Sequence, residues 1–235
     1  MLFKNPLRVV KDTGVSKDLE TFQTRHKLGF TGRKTWIKSK AIYDGATLKI
    51  AGHPVMEDWE GDYMHMLAHI ATSKKGKVLE VGYGMGISAK FIQHYKLDSH
   101  YIIECHPDVA KKFIEDFRDK IASNKIHMLT GFWEDITPLL AGNTFDGILF
   151  DTYPLKEEEI HANHFWFFKE AYRLLKSGGV LTYYSDEETN FSEKHLAKLH
   201  EAGFTNIDFK LCNVVPPDDC EYWQANTILA PVVTK

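Results

Sequence analysis

The residue types best suited to chemistry fall in a few short segments. In VLEVGYGMGIS (78–88) an apolar run enters a turn holding Gly82, Gly84 and Gly86. Without Cβ atoms such a turn can fold tightly and let a ligand approach the backbone. The G-x-G-x-G spacing differs from the G-x-G-x-x-G of pyrophosphate cradles, and Glu80 stands just before the first glycine. A carboxylate there repels phosphate but suits a sulfonium cofactor that also bears an ammonium group. Met85, Ile87 and Ser88 complete the turn and open a helix. Glu104 closes the next apolar run, HYIIEC (100–105), where a carboxylate can accept from both hydroxyls of a ribose. After the third run, GFWED (131–135) offers an aromatic and an acid that can stack on an adenine and accept from its amino group. The order of these groups points to S-adenosylmethionine rather than a dinucleotide, and so to methyl transfer.

Methyl transfer needs a nucleophile whose lone pair is aligned with the methyl group, so catalysis is positioning plus the handling of one proton. Asp151 ends the fourth run, FDGILFDTYP (145–154), at the expected methyl position, and its charge suits a cationic acceptor. In MEDWEGDYMH (56–65), Glu60 and Met64 lie four apart on a helix expected from about Trp59 to Thr72. Glu60 is placed to reach the acceptor and Met64 to pack on the cofactor. The pairs His65/His69 and His161/His164 have helical spacing but no third ligand in sequence, so no metal is expected. Cys105, Cys212 and Cys220 lack CxxC spacing and read as reduced thiols.

Elements that alternate along the chain must carry these groups. Five apolar runs, 77–82, 100–105, 125–131, 145–151 and 178–185, read as buried parallel strands. Helical stretches at 87–95, 108–121 and 161–175 separate them, which is the pattern of an α/β doubly wound sheet. A helix at 192–202 and two further strands follow, the strands read as an antiparallel hairpin at the sheet edge because Pro216 and Pro217 break the ladder between them. Residues 76–235 are thus the cofactor-binding core. Residues 1–75 read as a basic arm and lid helix over the carboxyl edge of the sheet, where ligands of open α/β sheets bind. The chain has 235 residues with 43% hydrophobic and 26% charged side chains, which excludes disorder and fibrous repeats. Residues 1–45 hold 10 Lys and Arg against 4 Asp and Glu, while the remainder is acidic. With no basic-aromatic stripe, no nucleic-acid partner is expected. No apolar run approaches bilayer length and the N-terminus lacks a signal-peptide centre, so no membrane contact and a cytoplasmic location are expected. Nothing in the sequence signals an oligomeric interface.

GHPVMEDWEGDYMH (52–65), VLEVGYGMGI, IIEC, GFWED, FDGILFDTYPL, LLKSGGVLTY (174–183) and the closing PVVTK together resemble guanidinoacetate N-methyltransferase, from about Trp36 to the C-terminus. The resemblance implies the class I methyltransferase fold, a mostly parallel seven-stranded sheet with an antiparallel C-terminal hairpin and an N-terminal lid. It implies S-adenosylmethionine as cofactor, and a small guanidino substrate gripped by two carboxylates, matched here by Glu60 and Asp151. One of the pair doubles as proton acceptor, and Asp151 is assigned that role. Trp36, Met56, Met64, the turn from Gly82 to Ser88, Glu104, Trp133 and Glu134 match the cofactor shell of the family. The chain departs from the family after its fifth core strand. There the family presents neutral residues whose backbone donors hold the acceptor's carboxylate, and this chain has Asp186, Glu187 and Glu188. Asp186 and Glu187 are expected to face the pocket and to disfavour guanidinoacetate itself. A methyltransferase for an aliphatic amine or protein arginine, or a silent binding protein, are the alternatives.

Overall fold

The computed structural model describes residues 29–235 apart from residue 124. Residues 1–28, which hold much of the basic arm read from the sequence, lie outside the described residues. The described chain opens with a short helix, α1 (Arg33–Trp36), and a three-stranded antiparallel sheet of β1 (Ala41–Tyr43), β2 (Thr47–Ile50) and β3 (His53–Glu57). A 3-10 turn, Asp58–Glu60, leads into α2 (Gly61–Thr72). The Glu60 carboxylate accepts from the Glu57 N–H at 2.9 Å and closes a capping box at this entry.

The apolar runs form a seven-stranded sheet of β4 (Lys77–Val81), β5 (Ser99–Glu104), β6 (Ile126–Thr130), β7 (Phe145–Phe150), β8 (Leu175–Tyr183), β9 (Asn206–Asn213) and β10 (Thr227–Thr234). Its order is β6-β5-β4-β7-β8-β10-β9. The first five strands are mutually parallel, and β10 enters antiparallel between β8 and the edge strand β9. Helices α3 (Ile87–Ile92), α4 (Pro107–Asp116), α5 (Arg118–Ala122), α6 (Trp133–Ile136), α7 (Asn163–Leu174) and α8 (Glu193–Ala202) connect these strands. The helix expected over 108–121 breaks at Phe117, whose φ of −124° leaves the helical region while its ring packs on Tyr83 and Phe113.

Alternation along β4 assigns its side chains to opposite faces. Val78 joins the core beneath α2 and α3, and Leu79 and Val81 join the core built by Phe150, Phe167, Phe168 and Leu174 on the side of α7. The helix expected as part of a lid is instead a layer of the core that holds Val78. In α2, Tyr63, Met64, Leu67, Ala68 and Ala71 are each 1% exposed or less. Its backbone rests directly on β7, since a Cβ built on Gly147 would stand 1.8 Å from the Ala71 carbonyl oxygen. Cover for the sheet's carboxyl edge comes from α1 and the β1–β3 sheet. Among the described residues no helix is long and apolar enough to cross a membrane.

Candidate active site

The chain runs from β4 outward to β5 and β6, then returns to place β7 on the other side of β4, so the carboxyl ends of β4 and β7 form the switch point where a crevice opens. Gly82 follows β4 with φ +92°, and a Cβ there would lie 1.8 Å from the Asp151 carbonyl oxygen. Only glycine allows both that conformation and that approach. A cavity of about 430 Å³ occupies the crevice, within the range of small-molecule sites. Gly82, Tyr83 and Gly84 form its floor, Glu104, Phe132, Trp133 and Glu134 one side, and Trp36, Leu48 and Met56 its cover.

The groups around this cavity are held by local bonds. Glu104 accepts from the Tyr83 N–H at 3.0 Å and from the His106 N–H at 2.7 Å. Burial raises its carboxyl above the ordinary range, and the two amides draw it partly back. Trp36 stacks on Tyr153 with ring centroids 5.2 Å apart. Arg33 joins Glu134 at 2.8 Å and Asp135 at 3.0 Å and lies 4.5 Å over the Phe132 ring, so α1 is fastened to the start of α6. Trp133 meets Phe150 and Phe167 edge to face. A carboxylate at a strand end, an aromatic wall and an open glycine floor fit an adenosyl group with a cationic tail, so the residues present suit S-adenosylmethionine.

At Asp151 this cavity meets a smaller one of about 50 Å³, bordered by Glu60, Asp151, Tyr184, Asp186, His161 and Tyr222 among others. Glu60 is 2% exposed and accepts from the Tyr222 hydroxyl at 2.6 Å. Its carboxyl is pushed well up, first by burial and then by the charge of Asp151. Asp151 is pushed up by burial, then by the charges of Asp186 and Glu80. Two desolvated carboxyls beside each other make a site that a cation would relieve, and that can take up a proton near neutrality.

The structure brings Glu60, Asp151 and Asp186 to one pocket, and Trp36, Met56, Gly82, Gly84, Glu104, Trp133 and Glu134 to the adjoining one. Glu80 does not reach either cavity. It shares the α3 face of β4 with Val78, and its fully buried carboxylate receives the Ser88 hydroxyl and lies 2.9 Å from His100 Nε2. On the other side of the ring, Gln93 Nε2 lies 3.0 Å from His100 Nδ1. Glu80 therefore braces the glycine turn from below. Met64 is fully buried in the core beneath α2, and Met85, Gly86, Ile87 and Ser88 also lie outside both cavity walls. The Met85 N–H caps Met56 Sδ at 3.3 Å instead. Glu187 turns away from the smaller cavity. Its Oε1 accepts from the Ser192 N–H and hydroxyl at 3.0 and 2.7 Å and lies 3.1 Å from His195 Nδ1, tying the loop to the start of α8. Sequence reasoning missed Tyr222, which comes from the loop between β9 and β10, and the His53–Tyr153 contact at 3.0 Å that seats Tyr153 under Trp36.

Strand order, glycine-floored crevice and strand-end acid together are those of the class I methyltransferase fold. Solved structures of similar fold include spermidine synthase from Thermotoga maritima, with TM-score 0.57 and 17% identity over 83% of this chain and 72% of that one. Another is M. jannaschii TYW2 in complex with AdoMet, with TM-score 0.55 and 14% identity over 83% of this chain and 84% of that one. Residues 25–235 match the family described as guanidinoacetate N-methyltransferase, and the chain belongs to that family. It is also similar to protein arginine N-methyltransferase 2 of Yarrowia lipolytica, 34% identical over 64% of this chain and 33% of that protein. With the protein of the same name from Neurospora crassa it shares 28% identity over 85% of this chain and 53% of the other. The chain thus spans between a third and about half of the length of these two relatives.

Proposed function

We propose that the protein methylates a guanidine nitrogen of an acceptor held between Glu60 and Asp151. The observation that carries this reading is the pair of desolvated carboxyls walling one small pocket, with Asp151 shared by the cofactor cavity. When bound, S-adenosylmethionine supplies an electrophilic methyl group. Glu104 would hold its ribose, the Gly82–Gly84 floor would take its backbone-like tail, and Trp133 would face its adenine. The rest of the chemistry belongs to side chains of this chain. A guanidinium is planar, and two carboxylates can receive its N–H groups and turn one nitrogen toward the cofactor cavity. With a pKa of roughly 13 it enters protonated, so a proton must leave as the new N–C bond forms. Asp151, raised toward neutrality by its surroundings, is the acceptor for that proton. Tyr222 keeps Glu60 facing the pocket.

The names of the curated relatives favour a second reading in which the guanidine is an arginine side chain of a protein. Both readings share the same chemistry at the guanidinium. The test is methyl transfer from labelled cofactor to guanidines and to aliphatic amines of matched length. Guanidines should be methylated and amines not, and Asp151→Asn should lower turnover by about 10² to 10⁴ with S-adenosylhomocysteine affinity kept within a few-fold. Transfer to amines alone, or an Asp151→Asn enzyme within a few-fold of wild type, would reject the proposal.

A further inference from the structure

The acceptor pocket has a third carboxylate that gripping a guanidinium does not require. Asp186 lies just beyond β8, borders the pocket with Glu60 and Asp151, and meets His161 Nδ1 at 2.8 Å and His164 Nδ1 at 3.9 Å. Asp186 and His161 each have a left-handed backbone, with φ +56° and +53°, although neither is glycine. Aspartate and histidine are among the residues that adopt this region, and the contact between them fixes both side chains at the pocket. The Tyr184 N–H donates to the Phe150 carbonyl at 3.1 Å, the Ser185 N–H to the Tyr63 hydroxyl at 3.3 Å, and the Glu187 N–H to the Ser185 hydroxyl at 3.2 Å. Three of the amides that could have received an anion are therefore engaged inside the fold. Among the described residues that border the pocket there is no Lys or Arg. The Asp186 charge also reaches Asp151, whose carboxyl it helps to raise.

We infer that Asp186, fixed in place by His161, is the residue that selects the far end of the acceptor. It receives a tail that donates hydrogen bonds, an ammonium or an amide, and excludes a tail that ends in a carboxylate. The substrate class is then a guanidine without a carboxylate near it, such as a guanidinoalkylamine, and guanidinoacetate is a poor acceptor. This rests on the guanidine reading above and adds the chemistry of the tail. Because tail contacts are made equally in ground and transition states, the selection is expressed in KM more than in kcat.

The experiment compares kcat/KM for agmatine and guanidinoacetate in wild type, Asp186→Asn and Glu187→Gln. Asparagine tolerates the left-handed backbone and removes the charge, so the fold is kept, which S-adenosylhomocysteine binding and thermal unfolding verify. Wild type should prefer agmatine by at least about tenfold, and Asp186→Asn should shrink that preference by about tenfold through KM. Glu187→Gln, whose side chain faces α8, should leave the ratio within about twofold. A wild-type preference for guanidinoacetate, or a ratio that Asp186→Asn does not move, overturns the tail inference while the guanidine reading stands. Failure of every guanidine as acceptor overturns both. If Asp186→Asn does not fold, Asp186→Gly, which also accepts positive φ, carries the same expectation.

Discussion

At the scale of single residues, Glu60 combines two demands that pull apart. In the proposed reaction it faces a cationic acceptor, and without one it is a buried acid beside another acid. Its folded value is raised above the 4.5 of an ordinary glutamate, so the folded protein holds a proton that the unfolded chain releases. The contribution of such a group is fully present below the unfolded value and is lost as pH rises toward the folded one, by up to about 1.4 kcal/mol per pH unit. Glu60→Gln keeps an acceptor for the Tyr222 hydroxyl and the Glu57 N–H and does not titrate. Its melting temperature should therefore rise relative to wild type between pH 5 and pH 8 in the absence of ligand, while guanidine methylation falls by about 10². A melting difference that is the same at both pH values would show that Glu60 does not titrate this way. Glu104 is also more than a ligand contact, since it already serves two backbone amides. Glu104→Gln has one acceptor oxygen where the carboxylate has two, so either an amide or a ribose hydroxyl loses its partner. Calorimetry with S-adenosylhomocysteine should read a loss of about 1 to 3 kcal/mol, and unchanged affinity would remove Glu104 from the ribose site. The placement of Glu60, Asp151 and Glu104 at the two cavities was legible because each stands at the end of a recognisable element. Glu80 was misread because its position in the sequence does not say which face of β4 it shares, and Glu187 because a loop residue has no periodicity to orient it.

At the scale of elements, the parallel strands and their helices were legible because runs such as VLEV and GILF have the length and apolarity of fully buried strands. The β1–β3 sheet was not. Its strands are 3 to 5 residues long, so the alternation of Thr47, Leu48, Lys49 and Ile50 in β2 is too brief to stand out, and β3 opens on His53 and Pro54 rather than an apolar run. The placement of α2 escaped for a different reason. Its sequence is that of a buried helix, but which layer it joins is settled by Gly147, far along the chain, where the missing Cβ lets the Ala71 carbonyl touch β7. Gly147→Ala should force that helix off the sheet, and with a contact of 1.8 Å to backbone no rotamer can relieve it. We expect a loss of about 3 kcal/mol or more in denaturant unfolding, and weaker acceptor binding because Glu60 sits at the head of the same helix. A variant of wild-type stability would mean that α2 has freedom to move away, and that the acceptor site does not depend on this packing.

At the scale of the whole molecule, the division at residue 76 that the sequence invites is not a division of the core. Strand-helix alternation begins there, and for that reason the earlier residues read as an addition. Yet the larger core cluster includes Trp36, Leu48, Ile50, Met56, Tyr63, Met64, Leu67 and Ile70 together with Val78, Ile102 and Phe113. It also takes in Cys212, Val214 and Trp223 from the C-terminal hairpin and its loop, so segments from before β4 and after β8 pack into one cluster. The acceptor pocket repeats this arrangement, with Glu60 before β4, Asp151 after β7 and Tyr222 between β9 and β10. Removing residues 1–75 would expose the sheet face that α2 covers. At roughly 2 kcal/mol for each large apolar side chain withdrawn from the core, the loss exceeds the roughly 5–15 kcal/mol by which a domain is stable. A chain of residues 76–235 should therefore lack the near-ultraviolet circular dichroism of a packed core and fail to bind S-adenosylhomocysteine. Cooperative unfolding and cofactor binding by 76–235 would establish that segment as an independent domain and reduce the first 75 residues to a cover for the acceptor.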